Sequence, residues 1–359
     1  MSVTKRPDGK WRARYRDATG REHARHFARK TDATRWLADV KAKLSAGEWL
    51  DPALSRVTVG EWAALWIASQ PHLEETTLAR YAGLVRNHIV PVWGSVQLAA
   101  VTHAHVATWV RAMQNEGQSA SSVRATYGVF SRVLDHAVRD GRLSRNPAAA
   151  VRLPRLRKPE KRYLTHGQVA DLARECGEYA SLIRTLAYTG LRWSEVAALR
   201  AKRVRLDRYE LVVAEGMKDV NGVISFSETK THRVRIIPFP GVLAPDLAAA
   251  VDGKQTDDLV FTSSRGGPLR NQNFRRDVFD PAATRAGLAE LTPHELRHTA
   301  ASLAVSAGAN VKAVQRMLGH ASAAMTLDVY ADLFDTDHGD VASRLDEAIR
   351  AHSLRTAAD

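Results

Sequence analysis

His294 and Arg297 stand three residues apart in Thr-Pro-His-Glu-Leu-Arg-His, His320 follows in Leu-Gly-His, and Tyr330 in Asp-Val-Tyr-Ala. Arg192, in Thr-Gly-Leu-Arg-Trp-Ser-Glu, lies far upstream and adds a second guanidinium. Guanidinium forks match the oxygens of a phosphate. Imidazoles can donate to the same oxygens, and a phenol is a latent oxygen nucleophile. Two arginines, two histidines and one tyrosine therefore suit attack on a phosphodiester. A phenol has an ordinary pKa of about 10, so a base or a cationic field must help it ionise.

Local sequence says what must hold these groups. Thr292-Pro293 ahead of His294 reads as a helix start, a capping hydroxyl followed by proline at the first helical position. Residues three apart share a helix face, and the free N–H groups of a helix start favour an anion. Gly190 ends one helix and Ser194-Glu195 opens another, which leaves Arg192 in a turn facing a cleft. Glu195 either orients Arg192 or serves as a helix-start charge. Gly319 caps a stretch with Val311, Val314, Met317 and Leu318 at helical spacing, placing His320 just beyond it. Tyr330 sits on a helix with Thr326 one turn before it, beside Leu327 and Leu333. A tyrosine in that setting, read alone, is a core residue.

The rest of the chain divides into modules, and the fold class expected is multidomain, mainly α with small β-sheets. Residues 1–50 form a basic module. Lys10 to Arg16 alternates, with Trp11, Ala13 and Tyr15 on one face and Lys10, Arg12, Arg14 and Arg16 on the other. Asp8-Gly9 and Thr19-Gly20 are turn signals, and Thr31 or Asp32 caps a helix carrying Trp36, Leu37, Val40 and Leu44. The expectation is a three-stranded sheet backed by one helix, its arginine face entering a DNA groove. Residues 55–150 read as a helical unit. Helices open at Thr58 (Trp62, Leu65, Trp66, Ile67), at Thr76 or Thr77 (Leu78, Tyr81, Leu84, Val85) and at Ser121 or Ser122 (Val123, Tyr127, Phe130, Leu134, Val138). Another carries Val106, Trp109, Val110 and Met113. The aromatics read as core, and Arg124, Arg132 and Arg139 as a phosphate-facing row. Residues 151–162 are a linker in which Pro154 and Pro159 block helix. Its Arg152, Arg155, Arg157, Lys158, Lys161 and Arg162 can track a phosphate backbone. Residues 163–338 mix helix and strand, with strands at Leu211 to Val213 and Val234 to Pro238 and helices from about Asn271. A tail helix at 339–359 carries Val341, Leu345, Ala348 and Ile349.

Bulk properties agree. The 359 residues exceed one compact core. A net charge of +13 favours a polyanion, nucleic acid or anionic membrane. No apolar run approaches the ~20 residues of a membrane span, and Met1 to Lys30 is basic without the apolar stretch of a signal peptide. Cys176 is the single cysteine, so neither an intrachain disulfide nor a cysteine zinc cluster is available. A reducing cytoplasm fits. With no Gly-rich phosphate loop, ATP-driven chemistry lacks support.

Together, Thr-Gly-Leu-Arg192-Trp-Ser-Glu195, Thr-Lys230-Thr, His294-Glu-Leu-Arg297-His-Thr, Leu-Gly-His320 and Tyr330 resemble, in order and spacing, the tyrosine recombinases of the phage integrase family. The resemblance implies that Tyr330 attacks the scissile phosphate, forms a 3′-phosphotyrosyl link and releases a 5′-hydroxyl. It implies that Arg192 and Arg297 neutralise the transition state, that His320 bonds the same phosphate, that Lys230 protonates the 5′-oxygen, and that His294 assists proton transfer. Lys218 offers a second lysine in the same region. No cofactor or metal is implied, because the DNA bond is stored covalently. The basic module at 1–50 then resembles an arm-type DNA-binding domain and 55–150 a core-site-binding domain. Implied partners are double-stranded DNA at core-type and arm-type attachment sites and a homotetramer on two duplexes, whose tail docks in cis or in trans. A directionality factor and a host DNA-bending protein are further family expectations, in a bacterial cytoplasm at the nucleoid.

Two other readings use the same residues. His294-Glu-Leu-Arg-His298 matches the His-Glu-x-x-His zinc metalloprotease motif, with Glu295 as general base. It leaves Arg192, Lys230, His320, Tyr330 and the charge without a role. The other is a DNA-binding regulator derived from an integrase with an inactive site, against which every family position is filled.

Overall fold

The computed structural model describes residues 1–17, 20–45, 51, 54–156, 161–228, 234–334, 346 and 349–350. Arg157, Lys158 and Lys230 lie outside the described residues, as does the tail expected at 339–359 apart from 346 and 349–350. The chain forms two compact units, Met1–Lys158 and Pro159–Asp359.

The first unit opens with an antiparallel sheet of β1 (Ser2–Lys5), β2 (Trp11–Arg16) and β3 (Glu22–Phe27), in that order. The period-2 pattern of β2 buries Ala13 and Tyr15 while Arg14 and Arg16 face out. The buried face packs on α1 (Lys30–Ser45), where Trp36 meets Tyr15 edge-on. The helix begins at Lys30, ahead of Thr31 and Asp32, the residues expected to cap it.

In the helical part, Thr58 caps α2 (Val59–Ala68) in a capping box with Glu61. Leu65, expected on its apolar stripe, is 56% exposed. The next helix, α3 (Glu75–Leu84), starts before Thr76 and Thr77. Glu74 and Glu75 bring carboxylates to its N-terminus, where the helix dipole favours them. A π-helical turn at Val85–Ile89 carries it into α4 (Val90–Trp93). Pro91 supplies no N–H for the α-helical bond four residues back, and the wider turn makes room for its ring. After α5 (His103–Asn115) comes α6 (Ala120–Arg139), whose cap is Ser119 rather than Ser121 or Ser122. The Ser119 hydroxyl reaches the N–H of Ser122 from an extended backbone. Trp62, Trp93, Trp109 and Phe130 are buried, and the Phe130 ring lies 5.0 Å from Trp93 and 5.1 Å from Trp109.

The second unit contains α7 (His166–Glu175), α8 (Ala180–Thr189) and α9 (Trp193–Val196). Five strands follow: β4 (Val204–Arg205), β5 (Glu210–Val213), β6 (Glu215–Val220), β7 (Val223–Glu228) and β8 (Arg235–Pro238). β4, β5 and β8 form one antiparallel sheet, and β6 with β7 a separate hairpin inserted between β5 and β8. Asn221 and Gly222 turn the hairpin with φ of 52° and 86°, the pair of positive angles that a two-residue turn requires. The remaining helices are α10 (Ala244–Val251), α11 (Asn271–Phe274), α12 (Asp280–Arg285), α13 (Pro293–Ser306), α14 (Val311–Leu318) and α15 (Ala323–Phe334). α8 runs through the middle of the core, with Leu182, Ile183 and Leu186 buried, and packs on α7 and α13. Lys161 and Arg162, expected to track phosphates, instead donate to the carbonyls of Val329 and Ala289. Among the described residues no helix is long and apolar enough to cross a membrane.

Phe130→Ala removes the ring on which Trp93 stacks and which Trp109 meets edge-on. It is expected to destabilise the first unit by about 3–5 kcal/mol, measured by urea unfolding followed by tryptophan fluorescence. A loss below about 1 kcal/mol would show that the aromatic cluster does not hold this unit together.

Candidate active site

Two chain reversals build the site, both within the second unit. α8 ends at Gly190 in the left-handed conformation, φ 65°, so the chain doubles back and delivers Arg192 to the N-cap of α9. A Cβ at Gly190 would also lie 2.7 Å from Leu318 Cδ2. Glu195, three residues on, accepts the Arg192 backbone N–H at 2.8 Å and its Nη1 at 2.8 Å. Glu195 thus caps α9 and orients Arg192 at once, which joins the two roles left open by the sequence.

A residue missed by sequence reasoning completes this clamp. Arg235, at the start of β8, donates Nη1 and Nη2 to the two Glu195 oxygens at 2.8 and 2.6 Å. Glu195 is 4% exposed. Burial pushes its carboxyl up, but the Arg235 and Arg192 guanidiniums outweigh burial and hold it below the usual range. The Arg235 side chain also lies against Gly319, where a Cβ would stand 3.0 Å from its Nε. Gly319 is left-handed, φ 65°, at the end of α14, so it meets both a backbone and a space demand. The available signal was an arginine inside an otherwise apolar strand, Val-Arg-Ile-Ile.

Arg297 joins the two reversals. It is 3% exposed on α13 and donates Nη1 to Gly190 O and Nη2 to Leu318 O, each at 2.6 Å. It therefore fixes the Arg192 turn against the turn that carries His320. Burial, with Arg192 nearby, lowers its pKa to about 10, still charged at neutral pH. His294 lies one helical turn earlier on α13, its pKa lowered by burial and by Arg297 and Arg192. His320 Nδ1 lies 2.9 Å from Thr326 Oγ1. An Nδ1 that accepts the threonine proton leaves Nε2–H to donate. Burial first, then Arg297 and Arg192, lowers the His320 pKa to about 4.

Tyr330 meets this cluster from α15. Its backbone departs from helix (φ −127°, ψ 15°), the ring stacks on His320 at 6.4 Å and 9°, and the residue is 1% exposed. Its hydroxyl lies 2.7 Å from His298 Nδ1. Burial raises the phenol to about 12, opposed by Arg297. Lys161, from the linker segment, stands 5.8 Å over the ring. The His-Glu-x-x-His motif takes another form than a metal site. Glu295 Oε2 accepts the Thr292 N–H at 2.7 Å as the N3 member of a capping box, and His298 is engaged with Tyr330. No group of three or more His, Cys, Asp or Glu is placed to hold a metal among the described residues.

The structure gathers Arg192, Glu195, His294, Arg297, His320 and Tyr330. Lys230 is outside the described residues, and Lys218 lies on β6 opposite Ser225. The other basic residues expected on DNA belong to the first unit. Lys10, Arg14 and Arg16 are exposed, and Arg12 is half-buried. Glu22 lies 3.2, 3.9 and 3.9 Å from Arg12, Arg14 and Arg16, so that arginine face carries a carboxylate of its own. Arg124 donates to Pro154 O at 3.2 Å, the Arg132 guanidinium lies 5.5 Å over the Tyr81 ring, and Arg155 is exposed.

The histidines give a pH prediction. His298 and His320 have folded pKa values of about 4 against 6.5 unperturbed. The unfolded chain binds their protons first, so stability is fully present above pH 6.5 and is lost as pH falls toward 4. Thermal melting should decline across that window, and His320→Asn should flatten the decline. An unchanged pH profile in that variant would contradict the burial of a neutral imidazole here.

Comparison with known proteins extends the pattern over most of the chain. The Phage integrase family description matches residues 162–337, the phage integrase N-terminal domain 2–46, and the phage integrase central domain 59–153. An integrase of Mycobacterium phage FRAT1 is 30% identical over 279 residues, 73% of this chain and 80% of that protein. Tyrosine recombinase XerC of Corynebacterium efficiens is 28% identical over 238 residues, 63% of this chain and 72% of that protein. In fold, the chain is similar to the Tn1549 transposon integrase solved with circular intermediate DNA: TM-score 0.66, 22% identity, 76% of this chain and 94% of that one. A lambda integrase dimer bound to a core site gives a TM-score of 0.61 at 20% identity, over 91% of this chain and 93% of that one. The chain belongs to the phage integrase family of tyrosine recombinases and is a site-specific DNA recombinase.

Proposed function

We propose that this recombinase cuts and rejoins DNA with Tyr330 as nucleophile, as the integrase of a phage or other mobile element. The observation that carries the reading is the placement of the Tyr330 ring on His320, within the field of Arg297, which ties the Gly190 turn to the Gly319 turn. Arg192, Arg297 and His320 supply donors to the non-bridging oxygens of one phosphate. Preorganised donors of this kind are commonly worth about 10²–10³ each in rate. His294 stands beside them to assist proton transfer, and Lys230 is assigned the proton that the 5′-oxygen needs on leaving. The product of the first step is a 3′-phosphotyrosyl bond, which stores the energy of the broken link for rejoining.

The two units have different tasks on this reading. Arg12, Arg14 and Arg16 on the N-terminal sheet, with Lys10 just ahead of β2, address arm-type DNA, and Arg124, Arg132 and Arg155 address the core site. Arg157 and Lys158 extend that basic run toward the catalytic unit. Lambda integrase has been solved as a tetramer bound to a Holliday junction. We extend that assembly to this chain: four copies on two duplexes, the tail docking on a neighbouring subunit.

A suicide substrate, nicked so that the cleaved strand diffuses away, tests the chemistry. Wild-type protein should become covalently attached at the 3′ side, and Tyr330→Phe should bind the DNA with unchanged affinity but form no adduct. An adduct in the phenylalanine variant assigns the nucleophile elsewhere. Deleting residues 1–50 tests the division of labour. Core-site binding should persist, integration should fall steeply, and the salt dependence of binding to full attachment sites should become shallower by about 0.9 per lost phosphate contact. Undiminished integration by the shortened chain would remove the arm-binding role.

A further inference from the structure

The reaction requires a group to receive the phenol proton, and none of the phosphate-binding residues is placed for it. Guanidiniums are permanently charged and accept nothing. His320 turns its Nδ1 to Thr326, and His294 meets the His298 ring, while the group on the Tyr330 hydroxyl is His298. We propose that His298 takes the proton from Tyr330 as the tyrosine attacks phosphorus, a role that rests on Tyr330 being the nucleophile.

The geometry is direct. His298 Nδ1 is 2.7 Å from the Tyr330 hydroxyl, with the ring centroids 5.6 Å apart at 62°. Heavy atoms at that distance are within proton-transfer reach. Tyr330 is 1% exposed, so bulk water is held away from this contact. His298 is one helical turn beyond His294 on α13, and the two rings meet edge-on at 5.0 Å. This edge-on contact and the tyrosine hydroxyl both engage the His298 ring.

The surroundings keep an acceptor lone pair on that ring. Burial first, then His294, Lys161 and Arg297, hold His298 neutral, with a pKa of about 4, while Glu295 acts in the opposite sense. Lys161 comes from the linker segment, and the other charged neighbours lie on α13 itself. An arriving phosphodiester carries a negative charge to Arg192 and Arg297. That charge offsets the cationic field on His298 and makes its nitrogen more basic when substrate is bound. The base is therefore strengthened by the anion it acts on.

The step balances without an added reactant. Tyr330 Oη forms a bond to phosphorus, the P–O5′ bond breaks, and its electron pair leaves on O5′. The phenol proton moves to His298 Nδ1, and O5′ takes a proton from a separate acid, assigned above to Lys230. In rejoining, the 5′-hydroxyl gives its proton back to that separate group as O5′ attacks phosphorus, the P–Oη bond breaks, and His298 returns its proton to the departing phenolate.

His298→Asn separates this role from mere positioning, because the amide can keep a hydrogen bond to Tyr330 but has no basicity. In the full-length protein, DNA affinity and melting temperature should stay close to wild type while adduct formation on the suicide substrate falls by about 10²-fold or more. The fall should persist on DNA with sulfur at the bridging 5′ position, since a thiolate leaves without a proton. A near-wild-type rate for His298→Asn overturns the proposal, and so does full recovery on the sulfur substrate, which would move His298 to the leaving group. Should the asparagine variant melt early, His298→Ala assayed with and without added imidazole reads the same step. Recovery with imidazole supports proton transfer, and no recovery overturns it. An adduct formed by Tyr330→Phe would instead break the underlying reading, so the two failures are distinct.

Discussion

A buried guanidinium joins the two helix ends on which the active site depends. Arg297 sends one donor to the last carbonyl of the α8 turn and another to the end of α14, both at 2.6 Å. Those carbonyls belong to residues beside Arg192 and His320. Terminal helix carbonyls have no intrahelical partner, so a cation placed between them satisfies both and draws together two stretches of chain far apart in sequence. Removing it would leave two buried acceptors unsatisfied and the Arg192 and His320 turns free to separate.

The second clamp works with the first. Glu195 is buried between Arg192 and Arg235, which are themselves partly exposed. A buried ion pair gives little net stability when set against well-packed apolar groups, but losing one member of it is costly. What it supplies here is direction. Arg192 is held at its backbone and at Nη1, while its side chain remains 38% exposed. Glu195 bonds two guanidiniums and Arg297 adds a third cation nearby; burial first, and the positive charge after it, depress His294, His298 and His320. A phosphate supplies the missing negative charge. Binding of substrate and relief of that field are thus one event.

Much of this was legible in the residues. The Thr292-Pro293 start, the Gly190 and Gly319 stops, the Thr58 cap and the alternation of β2 are local signals, and each element forms where its signal lies. Local signals also explain the errors. Ser119 and Glu74 won over neighbouring hydroxyls because several adjacent residues can cap or charge a helix start, and only the backbone path selects one. The π-helical turns at Val85–Ile89 and Arg275–Phe279 precede Pro91 and Pro281, a consequence of proline that a period of 3.6 does not reveal. Arg235 hid inside an apolar strand, and its partner Glu195 is forty positions away.

The sequence by itself determined the set of chemical groups, their order, the strong positive charge and the helices that carry them, because residue type and short-range spacing act through neighbouring backbone. Tertiary structure alone decided that Glu195 answers two arginines, that Glu295 is a cap and not a metal-site base, and that the Tyr330 hydroxyl rests on His298. Those pairings join separate elements, and packing of α13 against α8 and α15 is what brings them within hydrogen-bond distance.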